Sequence, residues 1–445
     1  MDISQILLCA MVAPPGLAFL GMALIWLFGA NPGEKAITVL TKLAFAVSGL
    51  AFLGLLFLSF QAGAFQVTVG LGDWFRVHEY SFPLVLFVDS LSLPLAGLTI
   101  LLTALIAVFS ATYMHREPGF LRFFLQLNLF GIGALLVLTA GSFDLLVGGW
   151  ELVGISSVLL IAFFEARTGP VRNAIRVFAT YRTADVGLLV GIFLMHHWAD
   201  TATYSELFHG SKLTGGHAMI VGLLLLLAAS GKSAQLPFSG WLPRAMEGPT
   251  PSSAIFYGAI SVHLGAYLLL RAQPILAAAP IAAAAVILIG ALTATYGTIT
   301  GRACADAKTS LAFAALSQLG LIFVEIGFGW PTLALFHILG HATVRTLQFL
   351  RAPSMLHDYH QLHSAAGGPL AKTGEHYETW IPAGVQLWLY RFAMDRGFLD
   401  SAMDRGFANP LHALSSWLGG PGFGSGARRA APVAQASTKT AGGLD

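Results

Sequence analysis

The chain has 445 residues, of which 56% are hydrophobic and only 10% charged, with a formal net charge of +2. An ordinary soluble domain is roughly 25% charged, so this composition excludes a water-covered globule. No basic stripe offers itself to nucleic acid, and Cys9 and Cys304, in or beside apolar segments far apart, do not make a disulfide framework.

The apolar residues are gathered into runs of roughly 20, the length with which a helix crosses a hydrocarbon core about 30 Å thick. Helices satisfy their own backbone hydrogen bonds in lipid, so the runs predict an all-α membrane protein. A transmembrane barrel would alternate apolar with polar residues, and stretches such as Leu223–Ala229 do not. The first run, near 5–28, has no positively charged leader and is too long for a signal peptide, so it reads as a retained span. Further runs lie near 39–60, 85–111, 121–140, 143–164, 178–196, 218–238, 252–270, 275–298, 309–328 and 331–350. That makes about 11 transmembrane helices.

Numbering the loops alternately puts Lys35, Lys42, Arg116, Arg122, Arg167, Arg172, Arg176, Arg244, Arg302, Lys308 and Arg351 on one side. The other side holds only Arg76, Lys212 and Arg271. By the positive-inside rule this predicts a multi-pass protein of the inner (cytoplasmic) membrane, N-terminus outside and C-terminus cytoplasmic. The outer loops near 61–84 and 197–217 are short of a folded domain. After Arg351 polar residues interrupt the pattern. Residues 352–420 read as a cytoplasmic amphipathic segment lying on the membrane or on a partner, with Met-Asp-Arg-Gly-Phe occurring at 394–398 and again at 403–407. Residues 421–445, rich in Gly, Ala and Ser, read as a disordered tail.

Ionisable groups inside spans cost several kcal/mol each and are functional candidates. Lys232 stands about two-thirds of the way along its span, between Gly231 and Pro237, where a proline opens the backbone and admits water to the side chain. An ordinary lysine stays charged at neutral pH, and releasing its proton there takes about 4 kcal/mol against the charged form, which desolvation can supply. Glu151, in the middle of the span 142–164, is the expected partner: close, it favours the charged lysine; withdrawn, it lets the proton go. Asp144, seven residues earlier on the same face, extends that path. A static Glu151–Lys232 pair locking two helices together is the competing reading, and spacing does not separate a lock from a switch.

Arg182 and Asp185, three apart on one helix, can meet, and a structural pair is favoured there. His337, His341 and Arg345 recur every four residues along one face of the last span and resemble a proton wire. Buried histidines satisfied by neighbouring hydroxyls are the bland alternative. Zinc on the His-x-x-x-His pair is disfavoured by the lack of an intervening glutamate and by Arg345. His263, Glu325 and Tyr257 taken singly read as structural, and Lys308, beside Asp306 at a helix start, reads as snorkelling or relaying. No phosphate loop, Cys-x-x-Cys pair, dinucleotide fingerprint or nucleophile elbow is present, so no cofactor, metal site or covalent catalysis is expected.

The stretches Gly149–Ser157, Gly231–Pro237 with Trp241 and Leu242, Gly248–Ala254, Asp306–Gly320 and Phe336–His341 together resemble the antiporter-like subunits of respiratory complex I and of the Mrp cation/proton antiporters, over roughly residues 85–350. The resemblance implies proton or cation (Na+) translocation, with Glu151 and Lys232 on the family's coupled glutamate and lysine and His337 and His341 on its central histidines. It also implies an inverted-repeat fold with broken helices: N-terminal helices over 1–112, a first repeat over 113–271 and a truncated second repeat over 272–351. Tyr257 stands where relatives often carry histidine, and Arg345 where they carry lysine, which makes that last step electrostatic rather than a relay. The run His341–Asp358 is similar to the membrane subunit of DAB-type inorganic-carbon accumulation systems. That likeness implies cation flow energising CO2 or bicarbonate uptake by a soluble, zinc-containing, carbonic-anhydrase-like partner docked on the segment 352–420, with this chain an ion-translocating subunit and not the enzyme.

Overall fold

The computed structural model describes residues 2–30, 32–61, 65–77, 80–208, 213–304, 306–354 and 380–399, with 405 and 410. Residues 1–397 pack as one compact unit, and nearly all of the remainder lies outside the described residues. The all-α expectation holds, with one departure. Ten helices among the described residues are long and apolar enough to cross a membrane. They are α1 (Ile3–Leu27), α2 (Glu34–Gln61), α3 (Ser92–Tyr113), α4 (Phe120–Thr139), α5 (Phe143–Ile161), α6 (Thr168–Ala199), α8 (Gly215–Lys232), the composite span Thr250–Arg271, α13 (Pro280–Gly301) and α14 (Ala307–Gly327). The eleventh expected span is α15 (Pro331–Arg351), equally long but made less apolar by His337, His341 and Arg345. Short helices α7 (Tyr204–Phe208), α9 (Trp241–Arg244) and α12 (Gln273–Ala277) fill the turns.

Polar side chains start the helices. Asp2 accepts from the Gln5 amide at 2.8 Å while the Gln5 side chain accepts from the Asp2 amide at 3.1 Å, a reciprocal cap. Ser142 and Asp306 cap α5 and α14 through Leu145 and Thr309. Where α13 meets α14 the backbones nearly touch. A Cβ on Gly290 would stand 2.5 Å from the Gly320 carbonyl and 2.8 Å from the Phe323 Cβ, so only glycine allows this approach. The composite span runs through the middle of the bundle, with every residue of its most apolar stretch buried. It consists of α10 (Thr250–Ser253), a wide turn over Ala254–Ala259 and α11 (Ser261–Arg271). On peripheral helices Leu20, Leu24, Phe57 and Phe193 stand exposed, as lipid-facing residues do.

The departure is a hairpin. Residues read as an outer loop and the start of the third span form β1 (Gln66–Val77) antiparallel to β2 (Tyr80–Asp89), with Val67 opposite Val88 and Val69 opposite Leu86. Those four residues are buried, alternating with more exposed ones, and a period of two overrides the hydrophobicity that suggested a helix. The span α3 begins only where the Asp89 carboxylate caps it, accepting from the amides of Leu91 (3.2 Å) and Ser92 (2.9 Å). The hairpin marks one end of the bundle; the loops rich in Arg and Lys mark the other.

Of the segment 352–420, α16 (Ala383–Met394) is a helix lying along the basic end of α13, where Tyr296 meets the Phe392 ring at 6.4 Å and donates to the Arg396 carbonyl at 3.1 Å. Arg396 and Gly397 take positive φ (51° and 68°), so the first Met-Asp-Arg-Gly-Phe turns the chain out of helix. Most of its second copy, the stretch 355–379 and the tail 421–445 lie outside the described residues.

Arg271, at the end of α11, forks onto Asp89 at 2.7 and 3.0 Å and donates to the Tyr267 hydroxyl at 3.0 Å, which in turn donates to the Leu138 carbonyl at 2.8 Å. Through one guanidinium the hairpin is thus pinned to two spans, the composite one and α4. Burial works against the Asp89 carboxylate, but the Arg271 fork outweighs it and holds the carboxyl below its usual range. A carboxyl lowered in the fold stabilises it above its unfolded titration, and that contribution is lost as pH falls through the lowered value. Asp89→Asn is therefore expected to melt earlier than wild type at pH 7, with the difference shrinking as the buffer is taken into the acid range; a gap that does not narrow in thermal unfolding would count against the clamp.

Candidate functional site

Lys232 is not inside its span, as the sequence suggested, but is the last residue of α8. Ala234 takes a left-handed φ of 53° and Pro237 follows, so the helix cannot continue; it resumes over Phe238–Glu247 as short turns. The break is well tied. The Trp241 indole donates to the Gly231 carbonyl at 2.9 Å, Ser233 to the Val262 carbonyl at 2.5 Å, and the Leu236 amide to Thr293 at 3.0 Å. Loose polar groups at a helix end in lipid would be costly; the Trp241 bond answers an α8 carbonyl and the Thr293 bond a loop amide, while Ser233 ties the break to α11.

The Lys232 side chain is 1% exposed. Its ammonium donates to the Trp150 carbonyl at 3.1 Å and stands 4.6 Å from the ring centres of both Trp150 and Tyr181. Gly154 makes the room, since a Cβ there would come within 3.3 Å of the nitrogen. The expected Glu151–Lys232 pair is not formed. Glu151 instead pairs with Arg182, which also holds Asp185 at 2.7 Å, while Asp185 accepts from the Trp150 indole at 2.6 Å. Arg182 and Asp185 thus meet as their spacing suggested. A guanidinium with five donors takes two carboxylates where an ammonium with one apex takes a carbonyl and two aromatic faces. Among the described residues Lys232 has no ion-pair partner, although Glu151, Arg182 and Asp185 all act on its charge.

The histidine stripe lies on α15 and is answered by α11 and α14. His337 Nδ1 is 2.8 Å from Glu325 and Nε2 3.0 Å from the Gln318 side-chain oxygen, so the ring has an acceptor at each nitrogen. His341 is placed the other way. Arg345 donates from Nε to His341 Nε2 at 3.3 Å, which makes that nitrogen the acceptor and leaves the proton on Nδ1, 2.8 Å from His263 Nε2. The partners are therefore a carboxylate, an amide and a second imidazole rather than hydroxyls. Arg345 also donates to Gln348 at 2.7 Å. Tyr257 is buried at the wide turn, its ring 5.8 Å from Trp241.

Two expected residues stand apart from these groups. Asp144, at the hairpin end of α5, is 3.0 Å from His196. Lys308 donates to the carbonyls of Met246 (2.9 Å) and Gly248 (3.2 Å), closing the gap between the turns after Lys232 and the composite span. Sequence reasoning missed Trp150, Gln318 and His196. The first two are uncharged, and His196 was readable as an ionisable residue inside a span, three turns beyond Asp185 on its own helix.

Helices arranged in this way, with an ammonium at a broken helix and a histidine row beside it, define an antiporter-like membrane fold. Its likeness to solved structures is direct: the Mrp complex from Dietzia sp. gives a TM-score of 0.67 at 25% identity over 78% of this chain and 37% of that one. The membrane-bound sulfane sulfur reductase, an archaeal respiratory membrane complex, gives 0.66 at 18% identity over 78% and 70%. The family described as NADH:quinone oxidoreductase/Mrp antiporter, TM, matches residues 140–381, more than half of the chain, and that of the N-terminus of complex I chain 5 matches 74–124. The chain belongs to this antiporter-like family and is a multi-pass membrane protein. It is 32% identical over 343 residues to NADH-ubiquinone oxidoreductase chain 5 of Neurospora crassa, covering 77% of this chain and 48% of that one. With NADH-quinone oxidoreductase subunit L of Campylobacter jejuni it shares 34% over 331 residues, covering 74% and 54%. It spans about half the length of these relatives.

Removing Arg182 leaves Asp185 buried with the indole alone and Glu151 unpaired. Arg182→Ala is expected to cost about 2 kcal/mol, seen as a lower thermal transition, with Arg182→Lys recovering only part because an ammonium cannot fork onto both acids.

Proposed function

We propose that this chain is a proton-translocating subunit, or one for another small cation, of a membrane assembly of complex I or Mrp type. The observation that carries the reading is the buried ammonium of Lys232, without an ion pair among the described residues while two carboxylates beside it are held by Arg182. A buried charge is stable only when answered by neighbours. Movement of Glu151 or Asp185 from Arg182 towards Lys232 would favour its protonated form, and their return would favour release, so Arg182 serves as the holder from which the acids are exchanged. Glu151, Asp185 and Lys232 are the first loading site, with Asp144 on its hairpin side. His337 and His341 continue the path through Glu325 and His263, with Arg345 acting by its fixed charge and Lys308 at the basic face. The protein resides in a cell inner membrane with its basic face in the cytoplasm, which is the orientation that the Arg and Lys distribution favours.

The relatives reported above are respiratory and Mrp subunits, and they favour partners of that kind. A second reading, cation flow that energises CO2 or bicarbonate uptake by a carbonic-anhydrase-like zinc protein, rests on the run His341–Asp358. Co-purification separates the two: quinone-reductase or antiporter companions support the first, a zinc protein of that class the second. Under either, Lys232→Ala in the assembled complex is expected to abolish proton flux into membrane vesicles. Lys232→Arg, which keeps a charge that cannot be released, should do the same. Wild-type flux through an assembled Lys232→Ala complex would end the proposal.

A further inference from the structure

Asp144 and His196 lie on the faces of α5 and α6 that also carry Glu151 and Asp185, and the seven residues between Asp144 and Glu151 amount to about 10 Å of helix. His196 Nε2 is 3.0 and 3.2 Å from the two Asp144 oxygens, and both side chains are less than a tenth exposed. The pair sits directly under the hairpin, whose Phe82 ring lies 4.9 Å from the imidazole. The turn before α5 is bound to its surroundings by backbone: the Gly141 amide donates to the Val85 carbonyl at 2.8 Å, Tyr204 to Gly141 at 3.0 Å, and Phe143 to Ala202 at 3.0 Å.

The charges facing this pair among the described residues are few. Asp89 is matched by Arg271, whose guanidinium is 5.2 Å from the centre of the Tyr204 ring. The Tyr204 hydroxyl is buried without a hydrogen-bond partner among the described residues and feels the charges of Tyr267, Arg271, Asp89 and Asp144. Burial pushes that hydroxyl well above its ordinary range, so it stays neutral. Asp89 and Arg271 answer each other, so among the described residues His196 is the ring placed to answer the Asp144 carboxyl.

We infer that Asp144 and His196 form a proton port on the hairpin face, holding one exchangeable proton and passing it to or from the cluster of Glu151, Arg182, Asp185 and Lys232. This rests on the proposed function and extends it. In the loaded form the imidazolium donates to Asp144 from Nε2. Nδ1 is buried, so its proton leaves for the outer solution only when the ring is uncovered; the neutral ring still donates from Nε2, the carboxylate keeps its bond in both states and only the net charge changes. Passage to Glu151, about 10 Å along α5, requires intervening water. Tyr204 supplies a neutral hydroxyl between this pair and the Asp89–Arg271 clamp.

The test uses the assembled complex in vesicles. In His196→Gln the amide can still donate to Asp144 but cannot carry the proton, and flux is expected to fall about tenfold or more with the thermal transition unchanged. Infrared spectra of wild type taken over a series of pH values should show an imidazole and a carboxylate band changing together, absent in His196→Gln. Unchanged flux in that variant, a wild type without such a band, or a midpoint that moves with Na+ concentration would overturn the port. Should His196→Gln fail to assemble, the wild-type bands and their displacement in Asp144→Asn decide the matter. If Lys232→Ala blocks flux while His196→Gln does not, the port alone fails; if Lys232→Ala conducts, the proposed function fails, and the titration still judges the port.

Discussion

Arg182 holds two carboxylates, Glu151 and Asp185, and by doing so leaves Lys232 to a carbonyl and two aromatic faces. Much else follows from that division. The guanidinium keeps its charge under all physiological conditions, whereas an ammonium at the same depth does not have to. The permanent cation therefore holds the acids, and the ammonium lies beside them on a carbonyl and two rings. Trp150 joins the two halves, since its indole donates to Asp185 while its carbonyl receives Lys232.

The scaffold makes the arrangement possible by breaking helices where charge must be reached. Where α8 ends at Lys232, Trp241 donates to the Gly231 carbonyl, Ser233 to the Val262 carbonyl and the Leu236 amide to Thr293, so the interruption is fixed in place rather than loose. Lys308 performs a similar repair at the next gap, towards Met246 and Gly248. Around this centre the spans divide by duty. The Thr250–Arg271 span is enclosed by protein, while α1 and α2 turn large apolar side chains outwards to lipid.

Much of the architecture was legible in the sequence because lipid imposes a simple rule: about 20 apolar residues per crossing. Ten of the eleven expected spans are long and apolar enough to cross by that rule, and the ionisable residues among them stood out against it. The hairpin was not legible, because Tyr80–Asp89 is as apolar as a span and only its period of two tells otherwise. Nor was the pairing of Glu151. Spacing along one helix tells which face a residue shares, but partners on different helices depend on rotation and approach, here set by Gly154 and by the reach of Arg182. Asp185 was readable as Arg182's neighbour, and what sequence could not supply was that the same guanidinium takes a second acid. The histidine row was visible as a stripe on α15, yet its partners, Gln318 and Glu325 on α14 and His263 on α11, come from outside that helix.

The two α15 imidazoles are held in opposite senses. Because Arg345 occupies the Nε2 lone pair of His341, that ring is polarised from the basic face towards α11, with its N–H aimed at His263. While the guanidinium stays seated, this nitrogen has no lone pair left for another donor, so the order of the bonds from Arg345 through His341 to His263 is fixed in one direction.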